Sequence, residues 1–298
     1  MKKKTIITYA TMLLLVSGCV EIEEAPKVNP NTQYERVQDY IGEGYFLNQG
    51  SENDKIADAN KEKIEKEVKA FFLEEYKTEV KVHNLVGNVD GATVYVESEG
   101  PLHFYTYAVI PFDGEKVSTN RVFSQKGQVE SGIADGLYRI IFDEEFDRLD
   151  EYLDKIVAEE EVVGRTVESL RNVGGAGYMT AYYFIGASPI DDEAILPAYE
   201  LYLSNPQASV KQLREAFNEE KFSADNLRVS IMLFMEEKDA EPSEELFNRI
   251  TGDIERMDGI PKGTYSVFIN DNRVHKESFE GVKDNSLERA YPNEIVRD

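Results

Sequence analysis

One cysteine, Cys19, stands in the whole of the 298 residues. That excludes an intrachain disulfide, and if the Cys19 sulfur is acylated it also excludes a thiol nucleophile and a cysteine metal site. A domain exported without disulfides stands on core packing alone, which this length permits, and the scarcity of cysteine fits export from a Gram-positive cell. Basic residues are also few: 33 lysines and arginines face 57 acids, for a net charge of −24. Such a surface repels phosphate backbones and anionic head groups, which excludes nucleic acid as a partner and excludes electrostatic membrane contact. Solubility is the first use of that charge. No apolar run approaches the ~20 residues needed to cross a bilayer. The signature motifs of catalysis are missing as well, with no Gly-x-Ser-x-Gly elbow, no His-Glu-x-x-His and no Walker sequence.

Three local features look chemical and are not. Gly174-Gly175-Ala176-Gly177 is the only glycine-rich loop. A phosphate cradle needs a strand before the glycines and a helix N-terminus after them; here the expected order is helix then strand, so the loop reads as a helix stop and a turn. Asn270-Asp271-Asn272 lacks the glycine and the distal glutamate of a calcium loop and reads as a hairpin turn. Glu144-Glu145 and Glu159-Glu160-Glu161 point in different directions round a helix, as solvated charge does. No cofactor is expected.

What is present begins at the N-terminus. Lys2-Lys3-Lys4, an apolar run from Thr5 to Val16 and the ending Val16-Ser17-Gly18-Cys19 form the pattern of a secretory signal peptide over 1–18. The ending is similar to the bacterial lipobox. That resemblance implies a diacylglyceryl group on Cys19, cleavage after Gly18, and a mature chain held on the outer side of the cell membrane by acyl chains such as palmitate. Two such chains hold a protein where one binds only marginally. Residues 19–33 carry Pro26 and Pro30 with no apolar period and read as a flexible tether; about 14 such residues reach on the order of 20 Å.

The remaining chain, 41 % apolar overall, is expected to fold. Ser51-Glu52-Asn53-Asp54 reads as a capping box opening a helix over 52–76, with Ile64, Val68, Phe71 and Phe72 inward. From Glu79 the period changes to two. Strands are expected at 80–83, 92–98, 103–110 and 116–123, separated by Asn88-Val89-Asp90-Gly91, Glu99-Gly100-Pro101 and Asp113-Gly114, as an antiparallel meander. A second long helix is expected over 129–158, with Phe142, Phe146, Leu149, Leu153 and Ile156 stepping four, three, four, three onto the meander. Further on, the pattern predicts a strand over 178–186 and a helix over 191–204 that Pro197 starts or kinks. A short helix capped by Ser209 and Gln212 follows, then a strand over 226–236 and a helix over 242–257. A final hairpin of 264–269 with 274–279 precedes a polar tail from 282 to 298. The fold class is α+β, an antiparallel meander covered by amphipathic helices with a second mixed α/β half. The expected division is 34–173 and 174–281, with Gly174 at the boundary.

The stretches "QDYIGEGYFLNQG", "KTEVKVHNLVGNVDGATVYVES" and "HFYTYAVIP" resemble an uncharacterised family of lipoproteins from Gram-positive bacteria, the Firmicutes, known only as a domain of unknown function. The resemblance implies lipoprotein status and a Gram-positive source. It brings no catalytic or binding residues with it.

One constellation remains. If Glu99-Gly100-Pro101 closes a three-residue loop, Glu97 sits opposite His103 and Val96 opposite Phe104. Val94, Val96, Phe104 and Ala108 then share the apolar face, while Tyr95, Glu97, His103 and Tyr105 share the other. His83 falls beside Glu97 if the first hairpin is bulged. Two imidazoles flanking a carboxylate are a zinc-like donor set; a polar cross-strand cluster half covered by the second half of the chain is the plainer reading and the expected one.

For function, the anchor, the tether, the tyrosine-rich strands and the missing catalytic signatures point to a surface-tethered, non-catalytic binding or interaction module for a protein or small-molecule ligand. An exported hydrolase built on carboxylates, which needs no signature motif, is the alternative. A structural or maturation factor for the cell envelope is a third reading.

Overall fold

The structure, a computed structural model, describes residues 33–298. The signal segment 1–18, Cys19 and the expected tether up to residue 32 lie outside the described residues. The fold is α+β.

The expected meander is there: β2 (Val80–Asn88), β3 (Gly91–Ser98), β4 (Tyr105–Asp113) and β5 (Lys116–Val117) pair antiparallel in chain order. Asn88 and Gly91 face each other across Val89-Asp90, with the Asp90 N–H donating to Asn88 Oδ1 at 3.0 Å. The expected fourth strand is shorter than its pattern, because a 3₁₀ turn at Thr119–Arg121 follows β5 and only Phe123 returns to bridge Val109. The β3–β4 register differs from expectation by two residues, since Glu97 faces Tyr105 and Val96 faces Thr106. The reason is Leu102, which is buried and therefore not part of a solvent-facing turn. Ser98 holds the longer loop, its Oγ donating to Leu102 O at 2.7 Å and accepting the Phe104 N–H at 2.8 Å. An even slip keeps every side chain on its expected face.

Both long helices are broken. The first divides at Asn60 into α1 (Ser51–Ala59) and α2 (Lys61–Tyr76), where Asn60 leaves helical geometry and its Nδ2 donates back to Ile56 O. The expected capping side chains do other work: Asp54 Oδ1 accepts the Gly87 N–H at 2.6 Å and Asn53 Nδ2 donates to Asn88 O at 2.7 Å. These bonds dock α1 on β2, backbone against backbone. A Cβ on Gly87 would lie 2.3 Å from Gly50 O, and one on Gly50 would lie 1.9 Å from Gly87 O.

The second helix breaks at Phe142, with φ −103° and ψ 40°, into α3 (Gln128–Ile141) and α4 (Asp143–Glu159). Phe142 turns its ring into a cluster with Tyr138, Phe217 and Phe222. Asp143, Glu144 and Glu145 then open the new helix at its electropositive end. Phe146, Leu149, Leu153 and Ile156 are fully buried as the spacing predicts, whereas Phe142 is half-buried. The two pieces serve different sheets. α3 lies on the meander, where Gly132 meets the Phe104 ring and Gly136 meets Leu102 and His103 O. In α4, Phe146 stacks on Tyr183 of the second sheet, ring centroids 6.0 Å apart.

That second sheet holds β6 (Val162–Val163), β7 (Tyr183–Gly186), β8 (Arg228–Met235), β9 (Gly263–Asn270), β11 (Leu287–Arg289) and β12 (Ile295–Arg297). Its central strands β8 and β9 are parallel, joined by α8 (Glu244–Arg256) as a parallel pair requires. The aromatic strand is shorter than expected: Thr180 Oγ1 accepts the N–H groups of Tyr182 and Tyr183 at 3.1 Å each and turns the chain just before β7. α5 (Val167–Val173) is capped by Thr166, and α6 (Leu196–Ser204) starts at Pro197 rather than bending there. α7 (Val210–Ala216) carries the expected reciprocal box of Ser209 and Gln212.

The final hairpin does not form. β10 (Arg273–His275) leaves β9 and pairs antiparallel with β1 (Tyr34–Arg36). The expected turn residues are buried anchors. Asn270 Nδ2 donates to Leu233 O, and Asn272 Nδ2 donates to Met235 O, Glu236 O and Gln38 Oε1. Four acceptors at the end of β8 and in the segment after β1 pull the chain out of the sheet. Residues 282–298 also differ from a polar tail: β11 and β12 lie along β9, and Arg297 reaches the carbonyls of Ile254, Glu255 and Met257 at the end of α8.

A large buried core runs from Ala57 to Ile295, across the expected boundary at Gly174. A smaller one joins Val37, Tyr40, Leu170, Phe234 and Phe279 behind the second sheet.

Candidate functional site

β3 places Glu97 on the meander face that α5 covers. On β2 the ladder pairs Lys81 with Glu97 and Val82 with Val96, then jumps to Asn84 with Tyr95, so His83 is the extra residue of a β-bulge. The bulge turns both His83 and Asn84 toward α5, where Asn84 Nδ2 donates to Asn172 O at 3.0 Å. His83 Nε2 meets Glu97 Oε2 at 2.7 Å. His103, just before β4, brings its Nε2 to Glu97 Oε1 at 2.9 Å. The three residues singled out in the sequence therefore converge on one carboxylate. A fourth, Arg171 of α5, was not foreseen and donates its Nε to Glu97 Oε2 at 3.2 Å. Nothing local to residues 166–173 says which strand face that helix will meet.

The electrostatics follow from this arrangement. Burial alone would raise the Glu97 carboxyl, but the bonds from His103 and His83 and the charge of Arg171 outweigh it and hold the group below its ordinary range. His83 is pushed down by burial, against the pull of Glu97, so at neutral pH it is a neutral imidazole donating from Nε2. The set does not fit a metal ion. Both imidazole Nε2 atoms are spent as donors to Glu97, and the Arg171 guanidinium stands beside the oxygen a cation would need. Among the described residues no group of three or more His, Cys, Asp or Glu has metal-holding geometry.

What the cluster leaves open is its rim. The His83 side chain is 9 % exposed, whereas those of His103 and Arg171 keep 39 % and 37 % in solvent. His103 stands edge-on to Tyr105 and Tyr178, at 5.0 and 5.7 Å. The half-exposed His103 ring and Arg171 guanidinium are thus held on the same carboxylate. The network continues inward: Tyr178 Oη accepts Arg139 Nε at 3.2 Å, and Arg139 bridges Asp147 and Asp150.

The tyrosine-rich strands turn inward instead of forming an exposed recognition face. Tyr95, Tyr105 and Tyr183 are buried, and the Tyr95 hydroxyl spans to Tyr45 at 3.0 Å. Two buried carboxylates also escaped the sequence reading. Asp135 of α3 accepts the Ala187 N–H at 2.7 Å, and burial holds its carboxyl well above the ordinary range. Asp192 accepts from Asn226 Nδ2 at 2.7 Å, the Ala194 N–H at 2.9 Å and the Tyr138 hydroxyl. It lies at the floor of a notch of about 380 Å³ that Ser188, Asp191, Asp225 and Arg228 also line. With its oxygens engaged, Asp192 organises the notch and is not free to act in it.

Glu97→Gln tests the cluster. A carboxyl lowered in the folded state stabilises above its unfolded value of about 4.3, and that contribution is lost as pH falls through the folded value. The lowered His83 acts in the same sense below about 6.5. The Glu97→Gln protein should be less stable than wild type at pH 7, and the gap should persist down to about pH 4.3 and close only below it, as pH falls through the lowered folded value. A gap that fails to close below about pH 4 would show that the Glu97 charge is not what holds the cluster.

The family model described as "Protein of unknown function (DUF1672)" matches residues 27–297. No curated protein matches the chain. Among solved structures, the crystal structure of a DUF1672 family protein from Staphylococcus aureus subsp. aureus Mu50 superposes with a TM-score of 0.73. It is 19 % identical, over 89 % of this chain and 98 % of that one. At that identity the likeness speaks for the fold alone.

Proposed function

We propose, from the premise that this chain belongs to the DUF1672 family of proteins of unknown function, that it is a lipoprotein anchored through Cys19 on the outer face of the cell membrane, whose body is a non-catalytic binding module. The Lys-rich start, the short apolar run and the Val-Ser-Gly-Cys ending support the anchor. The observation that carries the binding reading is the division of labour around Glu97. Its two oxygens are taken by three donors, so it serves neither as base nor as nucleophile. It fixes instead the rings and the guanidinium whose outer edges reach solvent. Groups locked from behind on strand and helix, with free edges in front, are what a recognition site requires. The ligand is one that offers acceptors to Arg171 and packs or bonds against the half-exposed His103 ring.

The test has two arms on the full-length chain. Cys19→Ala should leave the unprocessed precursor without label from a radioactive fatty acid, and a mature-sized Cys19→Ala protein retained on membranes would sink the anchor. Independently, envelope components cross-linked to the wild-type protein should be lost with His103→Ala and with Arg171→Gln. If both variants keep the same cross-linked set while folded, the rim of the Glu97 cluster is not the binding site.

A further inference from the structure

Single exposed apolar side chains are ordinary on a protein surface, so grouping is what carries weight. Nine large hydrophobic side chains are exposed among the described residues, and three of them belong to one corner: Ile41 at 42 %, Phe46 at 46 % and Val167 at 42 %. The segment 40–46, which carries the first two, is strapped to α5, the helix that Val167 begins. Thr166 Oγ1 donates to Tyr40 O at 2.6 Å, and Asn172 Nδ2 donates to Ile41 O at 2.8 Å. Gly42, at φ 102°, turns the chain where a Cβ would lie 3.0 Å from Asn172 Cβ. The Tyr45 N–H then returns to Gly42 O, and the Phe46 N–H donates to Glu277 O. The apolar side chains are thus presented on a fixed backbone.

The same corner is where the chain enters the fold. Lys276, which follows β10, donates its N–H to Gln33 O at 2.8 Å and accepts the Tyr40 hydroxyl on its own carbonyl at 2.6 Å. Its Cβ lies 3.5 Å from where a Cβ on Gly44 would stand. Gln33 is the first described residue, so the chain before it leaves from beside the segment that carries Ile41 and Phe46. On the anchor proposed above, about 14 residues join Cys19 to Gln33 and span on the order of 20 Å. A folded body of this length is about 45 Å across. The tether therefore holds this corner, and not the far side, toward the bilayer. Charge says what kind of contact is made there. Glu43 and Glu168 are exposed, and Lys276 Nζ is paired with Glu35 at 2.9 Å. Anionic head groups would be repelled, which leaves apolar side chains entering the interface of zwitterionic lipid.

We propose that Ile41, Phe46 and Val167 form a second, apolar contact with the lipid bilayer, which seats the anchored body on the membrane in one orientation. The inference rests on the Cys19 anchor. Three half-exposed side chains would not hold a free protein on a membrane, but the tether makes their contact intramolecular, and a weak one then suffices.

The test uses the full-length lipidated protein in phosphatidylcholine vesicles whose acyl chains carry bromine as a quencher. Phe46→Cys and Leu73→Cys each take one environment-sensitive fluorophore, the Cys19 sulfur being blocked by its lipid. Leu73 is the control. It is also exposed, but on α2, which packs with Val94 and Val96 on one face of the meander, whereas Tyr45 meets Tyr95 on the other. The label at residue 46 should be quenched several-fold more strongly than the label at residue 73. High salt should leave the difference unchanged, since salt screens charges and not apolar contacts. Adding Ile41→Asp should bring the quenching at residue 46 down toward the control. Protein left behind when the vesicles are floated overturns the anchor and this contact together. Protein that floats with both labels equally quenched, or with quenching indifferent to Ile41→Asp, overturns the contact alone. Should Phe46→Cys fail to fold, Val167→Cys carries the label at the same corner, with the same outcomes.

Discussion

Gly87→Ala should lower stability by at least about 3 kcal/mol, at the upper end of what overpacking a close contact costs, and lower the thermal midpoint by on the order of 10 °C. The contact is between two backbones, so no side chain can swing aside. A methyl at residue 87 arrives 2.3 Å from Gly50 O and 2.5 Å from Asp54 N. Relief means lifting α1 off β2, which breaks the bond from the Gly87 N–H to Asp54 and strands Asn53. Gly50→Ala should behave alike, because the clash is the same one met from the other side. Gly186→Ala is the control. Its nearest neighbour would be Arg228 Cβ at 3.9 Å, an ordinary contact, and its effect should stay within about 0.5 kcal/mol. Thermal unfolding of the three variants checks the prediction, and a Gly87→Ala protein as stable as the control would mean that α1 is not docked as described.

Phe146→Ala should cost about 3–5 kcal/mol, the range for deleting a fully buried aromatic ring. Phe146 is the residue through which α4 holds the second sheet. It stacks on Tyr183 with the rings 9° from parallel, and the Arg139 guanidinium lies 5.7 Å from its centroid. Removing the ring leaves a cavity under β7 and frees Arg139, which also bonds Tyr178 next to His103. The loss should therefore appear in denaturant midpoints and as a changed environment for His103 in its imidazole NMR signals. A loss below about 1 kcal/mol would place α4 elsewhere.

Periodicity made the meander, the inward stripe of α4 and the Ser209 box legible, because each is decided within a dozen residues. The site was legible in part for a related reason: a two-residue slip cannot change which face a side chain takes, so Glu97 and His103 stayed together although their register was misjudged. His83 depended on where the bulge fell, which hangs on how α5 packs. Arg171 was invisible, since only tertiary contact brings residue 171 to residue 97. The errors share a cause. Asn60 and Phe142 each break a helix by a local alternative, a back-bonded amide and a buried ring, that a good hydrophobic stripe conceals. Asn270 and Asn272 looked like turn formers because that is what exposed asparagines are. Their burial, with carbonyl partners thirty-six or thirty-seven residues away, turned an expected hairpin into an anchor for another strand.

The pairing of β1 with β10 has a consequence in time. Tyr34 meets His275 across nearly the whole chain, so β1 is synthesised early and has no partner until almost everything after it has followed. Closing so long a loop gains little until the sheet that presents β10 already exists. The two-stranded ladder, which sets Tyr40, Val274 and Phe279 in the small core, is therefore expected to assemble after the main sheet. Newly made chains are thus expected to pass through a stage in which the main core is complete while the segment 34–46 still hangs free of it.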